Sequence, residues 1–231
     1  MVYNYLTDLK KLFYPQVCLS CTNSLFDGEE VLCLRCQKKL PRTNFHLDPI
    51  NPIIKIFWGK VPVKAATAFY DFAKGGKVQH LIHQLKYKKH PEVGVKIGSI
   101  MGNDLLKSEW FKDLDVIVPV PLHPDKERSR GYNQSAVFAA GLALTLGVAS
   151  SPQLLQRIKF TDTQTRKHRY ERFENVNSVF SISDPSKLKN KNILLVDDVI
   201  TTGSTLTACA ETLLEISGTT VSIAAIAHSI H

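Results

Sequence analysis

Residues 193–205 read Ile-Leu-Leu-Val-Asp-Asp-Val-Ile-Thr-Thr-Gly-Ser-Thr. This stretch constrains the fold more than any other in the chain. Four consecutive apolar residues after the polar run 189–192 are the pattern of a strand buried on both faces, as in a parallel sheet. Two carboxylates stand where that strand is expected to end. Hydroxyls and a glycine follow, and from about Ser204 the residues Leu206, Cys209, Ala210, Leu213 and Ile216 recur at helical spacing. The unit is therefore strand, acidic pair, hydroxyl-rich loop, helix. A helix start offers unpaired N–H groups and the positive end of the macrodipole, so the loop suits a phosphate monoester. Asp197 and Asp198 would repel that phosphate, which leaves them to accept hydrogen bonds from an attached sugar or to help hold a metal.

Two other strand-plus-acid architectures fit less well. A nucleotide-hydrolysing domain needs G-x-x-x-x-G-K-[ST], and around Gly75-Gly76-Lys77 the chain has Asp71 and Val78 at the first and last of those positions. A receiver domain carries most of its fold after the acids, whereas only residues 199–231 remain here. A plain capped helix needs one hydroxyl or carboxylate, not this many polar groups in succession. The stretch is similar to the phosphoribosyl pyrophosphate (PRPP) signature of type I phosphoribosyltransferases. That resemblance implies that Asp197 and Asp198 bond the ribose diol, and that Thr201, Thr202, Gly203, Ser204 and Thr205 bind the 5′-phosphate.

Cys18-x-x-Cys21 and Cys33-x-x-Cys36 are separated by eleven residues. Two knuckles at this distance can aim four thiolates at one tetrahedral Zn²⁺. Disulfides are the alternative. Asp8, Lys10 and Lys11 interrupt the apolar core a signal peptide would need, so export is not expected and the thiols should stay reduced. Four thiolates leave no open coordination position, which makes the zinc structural. The expected location is cytoplasmic. No run of about 18 apolar residues predicts a membrane span.

The chain of 231 residues suffices for one α/β domain and a small appendage, and we divide it into a zinc-binding domain over 1–57 and a main domain over 58–231. Residues 3–13 read as a short helix, and 41–60 as a link. A strand is expected over 61–72, helices over 77–89 and 93–106, and a second buried strand over 115–121 ending in prolines. His80 and His83 read as a solvated helix face, and Cys209 as a packed thiol. Strands are also expected over 176–182 and 220–227.

Residues 122–134 form a loop at the carboxyl end of the second strand, where open α/β sheets bind ligands, ahead of a helix over 133–146. The loop holds Lys126, Arg128 and Arg130, and suits a pyrophosphate; Arg130 leads because a guanidinium can donate two hydrogen bonds. A solvated basic turn is the bland alternative. Residues 161–172 are polar and basic with nothing to bury. They read as a disordered segment, an RNA-facing loop or a mobile flap, in which Arg166 and Arg169 contact the substrate and Gln164 faces it. The net charge of +8 favours polyanionic partners, without an accompanying nucleic-acid motif.

Taken together, the four cysteines, His83-Gln84-Leu85-Lys86-Tyr87, Val118-Pro119-Val120-Pro121, Arg130-Gly131-Tyr132-Asn133-Gln134, Thr163-Gln164 and the 193–205 stretch resemble the ComF family of late-competence-associated proteins. The resemblance implies a type I phosphoribosyltransferase-like parallel sheet flanked by helices, binding PRPP with Mg²⁺. It also implies a part in handling incoming DNA beside a helicase, with single-stranded DNA as a further partner. Two functions follow: transfer of phosphoribosyl to a nitrogen acceptor, or a non-catalytic module that binds PRPP or a nucleotide as effector.

Overall fold

The computed structural model describes residues 15–157 and 179–229. Among the described residues seven strands are formed: β1 (Ala65–Asp71), β2 (Val116–Pro119), β3 (Ala149–Ser150), β4 (Leu155–Arg157), β5 (Phe180–Ile182), β6 (Asn192–Ile200) and β7 (Thr220–His228). Five of them make one all-parallel sheet in the order β1-β7-β6-β2-β3, while β4 and β5 pair antiparallel by themselves. Among the described residues the α-helices are α1 (Leu34–Lys39), α2 (Pro52–Lys55), α3 (Lys77–Tyr87), α4 (Glu92–Leu105), α5 (Pro124–Arg130), α6 (Gln134–Leu146) and α7 (Ser204–Leu214).

The apolar runs that predict buried strands do so because both sheet faces are covered. Leu194, Val196, Ala224 and Ile226 point into one core with Ile97 and Met101 of α4 and Phe138 and Leu142 of α6. Ile193, Leu195, Ile223 and Ala225 point into the other, against Leu206, Cys209 and Leu213 of α7. Cys209 is fully buried there, as its helical position suggests. Glycines let α4 and α6 approach closely. A Cβ on Gly98 would lie 2.4 Å from the Phe138 carbonyl oxygen, and one on Gly141 would lie 2.1 Å from that of Val95.

Three expectations change. Residues 41–60 are not a plain link. Residue Arg42 bridges to Tyr70 beside β1, and the amide of Asp71 donates to the Pro41 carbonyl at 3.0 Å, so this segment covers the edge of the sheet. Farther on, Asn51 caps α2 through its Oδ1 while its Nδ2 donates to the carbonyls of Phe45, Asp48 and Ala66. Ile53 and Phe57 are then fully buried in the α7-side core. The 122–134 stretch is also partly helical, as α5, started by His123 and Pro124 and ended by Gly131 in the left-handed region (φ 85°). The third change is in β6, which runs two residues past Asp198, to Ile200. Its ladder with β2 ends at Pro119–Val196, but its ladder with β7 continues to Ile200–His228. The acids therefore stand where pairing becomes one-sided, not where the strand stops.

The expected helix over 3–13 and the proposed flap over 161–172, with Thr163, Gln164, Arg166 and Arg169, lie outside the described residues. Among the described residues no helix is long and apolar enough to cross a membrane.

The contact between α4 and α6 makes a direct prediction. Gly98→Ala and Gly141→Ala should each destabilise the protein by about 1–3 kcal/mol in urea unfolding, because the added methyl meets backbone that cannot yield cheaply. Unchanged midpoints would show that the helices do not pack at this distance.

Candidate functional site

The acidic pair, the hydroxyl loop and the 122–134 segment all lie at the carboxyl end of the parallel sheet, as the strand register requires. Asn133 caps α6 by accepting from the Ser135 amide at 2.9 Å, and its Nδ2 donates to the Val120 carbonyl just beyond β2. That cap sets Ser135 against the acids. Its Oγ donates to Asp197 Oδ1 at 2.8 Å, and the Asp198 amide donates to the same oxygen at 2.8 Å. Burial and then the charge of Asp198 push the Asp197 carboxyl up to about 7, against the hydrogen bonds from Ser135 and the Asp198 amide and the nearby Lys86. Asp198 is engaged from the other side, where Lys86 Nζ at the end of α3 lies 2.8 Å from its Oδ1.

The loop after β6 bounds a small cleft of about 40 Å³ lined by Asp197 and residues 199–206. Gly203 is buried with φ 75°, and a Cβ there would meet Ile56 Cγ2 at 2.6 Å, so both conformation and contact require glycine. Thr201, Thr202, Ser204 and Thr205 are exposed around it, with Thr202 Oγ1 and Ser204 Oγ 2.9 Å apart. The N-cap residue Gly203 has no side chain to offer α7, and the Ser204 amide donates to Thr202 Oγ1 at 3.4 Å, so the helix starts at the wall of this cleft.

Beside the acids is a larger cavity of about 450 Å³, lined by Lys86, Tyr87, Lys89, Asp125, Lys126, Ser129 and Arg130. The Arg130 guanidinium lies over the Tyr87 ring at 5.5 Å and donates to Gln134 Oε1. Tyr132 Oη donates to the Leu85 carbonyl, tying the end of α3 to the segment after α5. The structure thus brings together Asp197, Asp198, the 201–205 loop and Arg130. Arg128 does not line the cavity; it is exposed and paired with Asp125. No local spacing places Lys86 or Ser135 at the acids, although Ser135 directly follows Arg130-Gly131-Tyr132-Asn133-Gln134. His80 and His83 contact their own helix, at Gln84 and Tyr87 respectively.

The four cysteines converge as their spacing predicts: the Sγ atoms of Cys18, Cys21, Cys33 and Cys36 all lie within 4.8 Å of one another, and none is in a disulfide. Amides support the sulfurs, with Cys33 N–H donating to Cys18 at 3.3 Å and Cys36 N–H to Cys33 at 3.4 Å. Burial raises the thiols of Cys33 and Cys36, whereas at Cys18 the amides of Cys33, Ser20 and Cys21 outweigh it, bringing it down to about 7. Cys36 is pushed up to about 12 by burial and by its neighbouring sulfurs. Four thiolates packed this closely need a cation, and the donor set fits zinc. Among the described residues no other group of three or more His, Cys, Asp or Glu could hold a metal.

Residues 132–231 match the family described as the phosphoribosyl transferase domain. The DNA utilization protein YhgH of Salmonella typhi is 32% identical over 146 residues, which cover 62% of this chain and 63% of that protein. The same-named protein of Escherichia coli K12 is 28% identical over 201 residues, covering 86% and 84%. Competence protein ComFC of Bacillus subtilis is 35% identical over 100 residues, covering 43% and 38%. The match thus spans less than two thirds of the Salmonella protein's length. Parallel sheet, flanking helices and domain match together define a phosphoribosyltransferase-like fold beside a four-cysteine cluster. Its homologues among the DNA utilization and competence proteins make it consistent with the ComF family.

Two predictions follow from this geometry. Purified protein should carry about one zinc per chain by elemental analysis. Cys33→Ser or strong chelation should lower the melting temperature, and metal-free protein of unchanged stability would refute the assignment. Asp197 gives a second test. The folded state keeps a proton that the unfolded chain releases near 3.8, so stability should fall as pH rises from about 4 to about 7 and then level off. Asp197→Asn should flatten that part of the curve relative to the parent; identical slopes would contradict the buried carboxyl.

Proposed function

We propose that the chain binds PRPP with Mg²⁺ at the carboxyl end of its sheet and transfers phosphoribosyl to a nitrogen acceptor. The observation that carries this reading is the sharing of one sheet edge by three complementary parts. Hydroxyls and helix amides of 201–205 suit a 5′-phosphate. Asp197 and Asp198 retain lone pairs for ribose hydroxyls beyond the bonds they already accept. The cavity lined by Lys89, Lys126 and Arg130 suits a pyrophosphate.

In the transfer, the bond between C1′ and the pyrophosphate oxygen breaks with its electron pair leaving on pyrophosphate. A C1′–N bond forms, and the acceptor nitrogen gives up a proton. The residues' part is mainly electrostatic: Arg130 and its neighbouring lysines stabilise the departing anion, while Ser135 and Lys86 hold the two acids in place. Magnesium supplies further charge neutralisation when bound. No nucleophilic side chain is called for. In the sequence reading Arg128 and Arg166 also belong to the pyrophosphate site. Arg128 is paired with Asp125, which itself lines that cavity.

The names of the relatives support a role connected with DNA use or competence. One observation favours a second reading, in which the site recognises single-stranded DNA. Tyr87 is 63% exposed and has Lys89, Lys126 and Arg130 around the same cavity, an arrangement suited to stacking a base beside phosphates.

Incubation with PRPP, Mg²⁺ and a panel of bases and amines should release pyrophosphate in the presence of one acceptor class. The Asp197→Asn, Asp198→Asn double variant should lose at least about tenfold in PRPP affinity, as expected when charge-assisted bonds to two hydroxyls are lost. Tight PRPP binding without release, joined to steeply salt-dependent DNA binding, would support the second reading instead.

A further inference from the structure

The Lys86 side chain is placed at both halves of the site. Its ammonium lies 2.8 Å from Asp198 Oδ1, and with side-chain exposures of 21% and 12% the pair is largely withdrawn from water. The same residue also lines the 450 Å³ cavity with Lys89, Lys126 and Arg130. An ammonium has three N–H donors, so the bond to Asp198 leaves two for an anion in that cavity. The end of α3 that carries it is fixed from outside. Tyr132 Oη holds the Leu85 carbonyl on one side, and Arg130 stacks on Tyr87 on the other.

Resting on the PRPP reading above, we propose that Lys86 is a bridging residue that selects sugar phosphates carrying a diphosphate at C1. One of its donors keeps the Asp198 carboxylate turned toward the pentose hydroxyls, and the others take the diphosphate of the same ligand. A sugar monophosphate such as ribose 5-phosphate uses only the acids and the hydroxyl loop, and gains from Lys86 only the orientation of Asp198. Desolvation sharpens the distinction. A partly buried ammonium gains more from a multiply charged anion than an exposed lysine would, because water competes less.

Calorimetric titration of the full chain with PRPP, inorganic pyrophosphate and ribose 5-phosphate, all with Mg²⁺, tests the assignment. Lys86→Met should weaken PRPP and pyrophosphate by about tenfold or more, the scale of one lost charge-assisted hydrogen bond, while ribose 5-phosphate stays within about threefold. Lys86→Arg should recover most of the pyrophosphate affinity. The inference is overturned if Lys86→Met binds pyrophosphate as the parent does, or if it loses ribose 5-phosphate as strongly as pyrophosphate, which would mean a purely structural pair. If Lys86→Met does not fold, Asp198→Asn decides. It should lose ribose 5-phosphate while holding pyrophosphate within about threefold, and equal loss of both would overturn the bridge. A parent protein that binds pyrophosphate through Lys86 but not PRPP would sink the PRPP reading and the selection with it, while retaining an anion site. A parent that binds neither sinks both.

Discussion

Two adjacent carboxylates on a strand buried on both faces must be compensated, and most of the site is arranged around that requirement. The compensation begins with a loss of pairing. β2 ends at Pro119, and Val120 makes the last amide bond across to Val196, so β6 continues with β7 alone and its β2 side opens. Ser135 from the start of α6 and Lys86 from the end of α3 reach the acids there. Each acid is thus secured by a different helix, and each helix is in turn fixed by the segment after β2, through Asn133 for α6 and Tyr132 for α3.

This arrangement divides the edge by charge. The hydroxyl loop and the amides of α7 lie beyond β6, against Ile56 and Phe57, while the cations lie toward α3 and α5. A ligand that satisfied both would carry anionic groups at two ends and hydroxyls between them. Residues 41–57 contribute to this without touching the acids. They close the edge of β1 and press two apolar side chains onto Gly203, fixing the turn that begins α7.

The sequence made the centre of the fold legible because a doubly covered strand has no polar face to conceal it, and residues 193–196 and 116–118 are apolar throughout. The cysteine cluster was legible because its chemistry depends on local spacing. The rest depended on contacts that spacing does not encode. α5 buries no residue, so it has no apolar stripe, and only His123-Pro124 and Gly131 mark its ends. α2 is four residues long, and its burial comes from the sheet it meets. The ion pair between Lys86 and Asp198 joins distant parts of the chain and has no local pattern at all. β6 was expected to stop at its acids because charge usually ends a buried strand, but one-sided pairing lets it continue.

The central claim is that the acids and the hydroxyl loop grip one pentose phosphate between them. A crystal of the protein soaked with PRPP and Mg²⁺ tests this most directly. Density for the pentose hydroxyls is expected against Asp197 and Asp198, with the 5′-phosphate seated on residues 201–205. Density for the sugar elsewhere on the molecule, or none at saturating concentration, would contradict it.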